Sequence, residues 1–367
     1  MKNRAIPFTP ARLQLTLPAV IRITFPGATR HSAFRKSMAS LIQKCEDSAM
    51  PSPCEKRWAH PEVILVATDL LDLDRLMPFA VAQALETESR LILLHVLPPT
   101  AGLGTDPVGM PQYDPSAAVE SAARELHRWS SLARDRAIEC HALVREGYAA
   151  QQIVACVRQF HVGRILLGTR SRSKVGKLLL GSVAEQVLRS VHLPVITVGP
   201  EAHLPVSASG GKKVVLHATT LREASRPSAV LACKIAAAQN ARLVLLHVLP
   251  PSSDVDSMGG SVCMDSAALH EIELLAREVR DQDTAGVPIE TRIVHGKPCI
   301  EILAASVELG SGLIILGATH RSALQNLTRD HTIYRVLAHA PCPVLTLREV
   351  SEEECHEPTV ETTQSTF

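Results

Sequence analysis

The stretch Gly168-Thr-Arg-Ser-Arg-Ser-Lys-Val-Gly-Lys-Leu-Leu-Leu-Gly-Ser182 carries residue types that bind an anion. A glycine closes an apolar run, a basic loop of small residues follows, and Gly181-Ser182 opens an amphipathic segment. Where such a loop enters a helix, the first backbone N–H groups lack intrahelical acceptors and the helix dipole is positive, so a phosphate is favoured there. Gly181 lets the phosphate approach closely, and Ser182 can cap the helix and donate to a phosphate oxygen. Arg170, Arg172, Lys174 and Lys177 raise the local potential. The loop is not a Walker A motif, because Gly176-Lys177 is followed by Leu and position 171 holds Ser rather than Gly. The plain alternative is a tight turn into a packed helix start, with the cations solvated.

Two further positions face the same crevice on this reading. Asp69 ends an apolar run, and a carboxylate there suits a ribose hydroxyl or a metal; the alternative is an Asp that starts the following helix. Val96 ends another run and can offer its backbone to an adenine edge; it reads as a buried strand residue in either case. His95 and His247 sit inside apolar runs and read as core histidines rather than ligands. No nucleophile–base pair or metal cluster recurs near these positions.

The elements that hold these residues occur twice. Arg90-Leu-Ile-Leu-Leu-His-Val-Leu-Pro-Pro99 recurs as Arg242-Leu-Val-Leu-Leu-His-Val-Leu-Pro-Pro251, an offset of 152. VILVATDL at 63–70 pairs with VVLHATTL at 214–221, GRILLGT at 163–169 with GLIILGA at 312–318, and LPVITV at 193–198 with CPVLTL at 342–347. Each copy alternates short apolar runs with amphipathic stretches: strands at 63–69, 91–97, 138–145, 164–168 and 194–198, with helices at 74–88, 116–136, 149–160 and 181–191. Runs that are apolar at every position belong to strands buried on both faces, hence a parallel, doubly wound α/β sheet. Such sheets bind ligands beyond the carboxyl ends of their strands, where the strand order reverses. The expected organisation is a basic extension over 1–60, a first domain over 61–200, a linker over 201–212, a second domain over 213–348 and an acidic tail over 349–367.

Composition narrows the class. Aromatic residues make up 3% of the chain, so its cores are aliphatic. The formal net charge of +1 hides ten Lys/Arg against three Asp/Glu in residues 1–60 and six Glu without a cation in 349–367. The neutral body between them argues against a nucleic-acid partner, and no apolar stretch reaches the length of a membrane span. Nine cysteines, odd in number and without a CxxC pair, read as small hydrophobes and free thiols in a reducing cytosol. The Arg-rich, acid-poor start reads as a flexible extension, or as sequence ahead of a true start at Met38 or Met50, in preference to an organellar transit peptide.

The repeated LLHV strand, the CPVLTL-type last strand and the pattern G-x2-G-x9-G-[S/T] together resemble the universal stress protein family, in tandem, over about 61–348. The resemblance implies two five-stranded parallel sheets of the adenine nucleotide alpha hydrolase-like type, packed as a pseudo-dimer through their last strands. In the family's ATP-binding branch, adenine, ribose and phosphates fill the crevice described above. The first copy matches that branch at Asp69, Val96, Gly168, Gly181 and Ser182 and keeps the spacer length, 172–180. It departs at Ser171, where the pattern has glycine, and at Arg170, often His in the family. The second copy has Thr220 in place of the Asp, His320 for the second glycine, and Asp330 and His331 for Gly181 and Ser182. An aspartate at the phosphate pole repels an anion. The expected cofactor is therefore ATP, with magnesium, in the first domain only. His320, Asp330 and His331 read as solvated loop residues rather than metal ligands. The resulting expectation is a cytoplasmic stress-response protein whose adenine-nucleotide occupancy regulates a partner interaction, with a homodimer compatible. A non-binding interaction module of the same fold and a slow ATP hydrolase rank behind it.

Overall fold

The computed structural model describes residues 58, 60–99, 115–169, 180–203, 213–222, 225–249, 260–283, 285–318 and 332–348. The first half runs β1 (Val63–Thr68), α1 (Leu73–Thr87), β2 (Arg90–Leu97), α2 (Pro115–Arg134), β3 (Cys140–Glu146), α3 (Ala149–Gln159), β4 (Arg164–Gly168), α4 (Ser182–Ser190) and β5 (Val195–Val198). The second half repeats it as β6 (Val214–Ala218), α5 (Arg226–Ala238), β7 (Arg242–Leu249), α6 (Gly260–Asp281), β8 (Ile289–His295), α7 (Pro298–Glu308), β9 (Leu313–Ala318), α8 (Thr332–His339) and β10 (Val344–Arg348). The third strand starts two residues later than its apolar run, because Ala137 at φ 61 ends the turn after α2 and Ile138 still bonds back to Ala133.

All ten strands form one sheet in the order β3-β2-β1-β4-β5-β10-β9-β6-β7-β8. Pairing is parallel within each half and antiparallel where β5 meets β10, with Leu345 opposite Ile196. The period-two alternation of a strand sends neighbouring residues to opposite faces. Ile64 and Val66 enter one core with α1, α2, α5 and α6, whereas Val63 and Leu65 enter the other with α3, α4, α7 and α8. Both cores run unbroken from one half into the other, through Ile196 and Leu345 on one face and Val195 and Val344 on the other.

Polar contacts also span the junction. Arg164, 1% exposed at the start of β4, donates to Gln83 Oε1 at 2.5 Å and to the Trp58 carbonyl at 2.7 Å. Gln83 donates to Glu86, whose other oxygen lies 3.0 Å from Lys213 Nζ in the second half. Burial lowers the Arg164 guanidinium to about 10, and the Glu86 charge opposes that shift. A cavity of about 60 Å³ beside this network is lined by Phe79, Lys213, Leu313 and Pro343, among others. It lies at the amino ends of β6, β9 and β10 and has room for a water or two, so it is not the crevice sought at the carboxyl ends.

Five described cysteines, Cys140, Cys156, Cys233, Cys299 and Cys342, are free thiols. Burial pushes Cys140, Cys233 and Cys342 up to about 12 and Cys156 to about 11, which keeps them protonated and poorly nucleophilic.

The halves differ inside the core. Where β1 has Val66, β6 has His217, with no exposed surface. Its Nδ1 bonds the Ile315 carbonyl at 3.2 Å and its Nε2 lies 3.4 Å from Ser228 Oγ. Burial lowers its pKa from 6.5 to about 4, opposed by the Ile315 bond. The folded state thus binds this proton less readily than the unfolded chain. His217 contributes stability above pH 6.5 that is lost as pH falls towards 4, on the order of 2–3 kcal/mol. His217→Val, which copies the first half, should flatten stability across pH 6.5–4 in urea titrations; an unchanged slope would refute the assignment.

Candidate functional site

Strands β2, β1 and β4 are neighbours in the sheet, about 4.8 Å apart, and their carboxyl ends bring Val96, Asp69 and Gly168 side by side. The register of β1 on β2 ends at Thr68 opposite His95. Arg90 N–H donates towards β1, to Glu62. Alternate residues point their backbone groups the same way, so Val96 faces the side where β1 has already ended. It is partly exposed rather than a buried strand residue.

Asp69 does not start a helix. Its Oδ1 accepts from the Leu71 N–H at 2.9 Å, closing a short turn. The N-cap position of α1 belongs to Asp72. Between them the chain makes a left-handed step at Leu70, φ 73, steadied by Thr68 Oγ1 accepting from the Leu70 N–H at 2.9 Å. The same turn recurs in the second half at Leu221, φ 58, held by Thr219. The strained turn therefore belongs to the shared fold and not to the first crevice alone. His95 and His247 brace it from below, each giving Nδ1–H to the carbonyl of Thr68 or Thr219 at 2.9 Å. Both are satisfied histidines, as the sequence reading expected, but half-buried rather than in the core.

Asp72 is the residue that sequence reasoning missed. It is 5% exposed, and it accepts from Thr68 Oγ1 at 2.6 Å. A Cβ at position 168 would overlap its carboxylate, so Gly168 is required by Asp72. Desolvation raises the Asp72 carboxyl from 3.8 to about 6; the Thr68 bond opposes this, the Asp69 charge adds to it, and the Arg75 charge opposes it. The only signal in the sequence was an Asp directly before an apolar-periodic run, and Asp69 and Asp74 stand nearby to compete for that role.

On the far side of the crevice, Gly181 is the N-cap of α4 with φ −66 and ψ 145, and it makes no side-chain cap bond. Ser182 is therefore the first helical residue rather than the cap, a correction to the role expected of it; it is exposed on the first turn. The first intrahelical bond runs from Glu185 N–H to the Gly181 carbonyl, which leaves the Ser182 and Val183 N–H groups directed out of the helix start. Glu185, in that first turn, is paired with Arg189 and so offsets little of the positive pole. Two bonds close the neck of the loop: Gly181 N–H to the Thr169 carbonyl at 3.2 Å, and Leu180 N–H to Tyr334 Oη of the second half at 3.1 Å. Thr169 is 2% exposed and its hydroxyl has no hydrogen-bond partner among the described residues. Arg170, Ser171, Arg172, Lys174 and Lys177 lie outside the described residues.

In the second half, Thr220 stands where Asp69 does and bonds Ser225 Oγ, at the N-cap of α5, at 2.8 Å. A hydroxyl contact thus stands where the first half has the Asp69 carboxylate. Gly317 lies in β9, while His320, Arg329, Asp330 and His331 lie outside the described residues.

A twice-repeated parallel unit, with its crevice between the first, second and fourth strands, defines a tandem α/β protein of the doubly wound type. Comparison with known proteins gives the family. The universal stress protein family model matches residues 61–199 and again 212–348, so the chain belongs to the universal stress protein family, as a tandem member. A universal stress protein of Thermus aquaticus is 31% identical over 139 residues, 37% of this chain and 98% of that protein. One from Methanocaldococcus jannaschii is 25% identical over 136 residues, 37% of this chain and 80% of that protein. A crystal structure of a universal stress protein from Archaeoglobus fulgidus shares the fold at 19% identity and TM-score 0.57, covering 80% of this chain and 99% of that one. No described helix is long and apolar enough to cross a membrane.

Because its folded pKa is raised, Asp72 binds its proton more readily in the folded chain. Its contribution is favourable below pH 3.8 and is lost as pH rises through 6, on the order of 2–3 kcal/mol. Asp72→Asn, which can still accept from Thr68, should stabilise the protein at pH 7.5 and remove this loss. Urea titrations of both proteins at pH 4 and 7.5 check it; equal stability at pH 7.5 would count against the buried charge.

Proposed function

We propose that this protein is a stress-response regulator that binds ATP with magnesium in the crevice of its first half, and that the second half does not bind nucleotide. The observation that carries the reading is the difference between the halves at equivalent positions on one backbone. The first presents Asp69, the Val96 backbone, Gly168 and a glycine-capped helix start at Gly181. The second has Thr220 committed to Ser225 and, in the sequence, Asp330 where Gly181 stands.

Each group has a task on this reading. The Ser182 and Val183 N–H groups and the dipole of α4 take phosphate oxygens, with the Ser182 hydroxyl as a further donor. Asp69 takes a ribose hydroxyl, and the Val96 backbone meets the adenine edge. Arg170 and Ser171, which follow Thr169 in the sequence, are assigned to the phosphates as well. Magnesium usually enters with phosphate oxygens and one or two carboxylates, and Asp69 is the partly exposed carboxylate at hand. Occupancy would change the surface offered to a partner.

One observation favours a second reading, an interaction module with an empty site. The Asp72 carboxylate occupies the space over Gly168, where it is a negative group near the path of an incoming phosphate. A mass spectrum of the purified protein for co-purified nucleotide, followed by calorimetric titration with Mg-ATP, separates the readings. Wild type should bind below millimolar ATP; failure to do so would leave the second reading. Gly181→Asp should weaken binding at least tenfold without loss of stability, since Gly181 has an extended backbone that any residue adopts and Asp is a good N-cap. The neutral isostere Gly181→Asn should weaken it less, because it loses the close approach that glycine allows without adding a repelling charge. Binding without release of phosphate would exclude the hydrolase.

A further inference from the structure

We propose that Tyr334, in the second half, is a positioning residue for the nucleotide crevice of the first, so that the second half sets the first one's ligand affinity. The inference rests on the ATP reading above and adds its regulation.

The geometry begins at the neck of the loop. Leu180 is 5% exposed, so its backbone N–H needs an acceptor inside the protein. The acceptor is Tyr334 Oη, at 3.1 Å and 154 residues away in α8. The next residue, Gly181, is tied to Thr169 of its own half. The two residues that lead into the anion-binding turn of α4 are thus held from opposite sides, one bond from each half.

The surroundings make that hold rigid. Tyr334 is 8% exposed within the core of its own half. Close by, a Cβ at Gly199 would lie 3.6 Å from the Ala340 carbonyl, 3.7 Å from that of Leu337 and 3.8 Å from Thr169 Oγ1. The end of α8 and the base of the first half's loop are therefore packed against each other, and His203 N–H bonds the Pro341 carbonyl at 3.0 Å beside them. A movement of α8 reaches Leu180 directly.

The two halves differ at this position. At the repeat offset of 149, the residue of α4 that corresponds to Tyr334 is Glu185, and Glu185 pairs with Arg189 of its own helix. The half whose site has lost its acid supplies the hydroxyl, and the half that keeps Asp69 receives it. Fixing the Leu180–Ser182 backbone before ligand arrives lowers the ordering cost of binding.

The test is Tyr334→Phe in the full chain, which keeps the ring and leaves the Leu180 N–H buried without an acceptor. Thr197→Val is the control: it removes a different bond across the junction, Thr197 Oγ1 to the Val344 carbonyl. Amide hydrogen exchange without ligand should quicken about tenfold or more at Leu180 in Tyr334→Phe and stay near wild type in Thr197→Val. Mg-ATP affinity should fall roughly five- to twentyfold in the first variant and little in the second. Unchanged exchange at Leu180 overturns the proposal whatever ATP does. Faster exchange with undiminished ATP affinity overturns it too, as does an equal loss of affinity in both variants. Wild type that binds no ATP refutes the nucleotide reading and the positioning role with it, while the exchange result still reports whether Tyr334 holds the neck.

Discussion

The antiparallel pairing of β5 with β10 is the contact on which the rest of the architecture depends. A five-stranded parallel sheet ends in strands with unpaired backbone groups, and those edges invite association with other chains. Joining Val195–Val198 to Val344–Arg348 removes one edge from each half at once, and it lets both cores continue across the junction. Thr197 and Thr346 add side-chain bonds across the same seam. The edges left over are β3 and β8. On β8, Glu290 and Arg292 pair with each other and with Arg242 and Glu308, so that edge carries charge rather than a bare apolar ladder.

On this common frame the two halves have taken different polar interiors. The turn after the first strand, its left-handed leucine, the supporting histidine and the positive-φ glycines at 147 and 296 are shared. These are backbone requirements, and both copies meet them alike. The differences lie in what sits against that backbone. The first half buries a carboxylate at Asp72 and the second buries an imidazole at His217. Their protonation shifts work in opposite directions over an overlapping pH range, so acid favours the first half and disfavours the second.

Much of this was legible in the sequence. Most strands could be read because they are short aliphatic runs with a second witness in the other copy, whereas the edge strands β3 and β8 carry polar and charged residues. The crevice residues could be placed because doubly wound sheets bind at the carboxyl ends of strands. The rest depended on contacts between distant segments. Asp72 could not be told from Asp69 or Asp74 as a helix start, since burial and the bond from Thr68 decide the matter. His217 is visible as a break in the repeat, but its partners Ile315 and Ser228 come from the fold. Tyr334 gives no local signal at all, because its partner is a backbone amide 154 residues away.

Covalent linkage of the halves has one more consequence. In a homodimer with twofold symmetry, any substitution appears on both sides of the interface, so a side chain that helps one site must suit its mirror position as well. Here Tyr334 and Glu185 occupy mirror positions and differ, and the same holds for Val66 and His217. A single chain lets one copy keep the demanding residues of a pocket while the other drifts towards the needs of a support. The fused seam between β5 and β10 is thus what permits division of labour inside a duplicated fold, a path closed to a protein that must pair with an identical copy of itself.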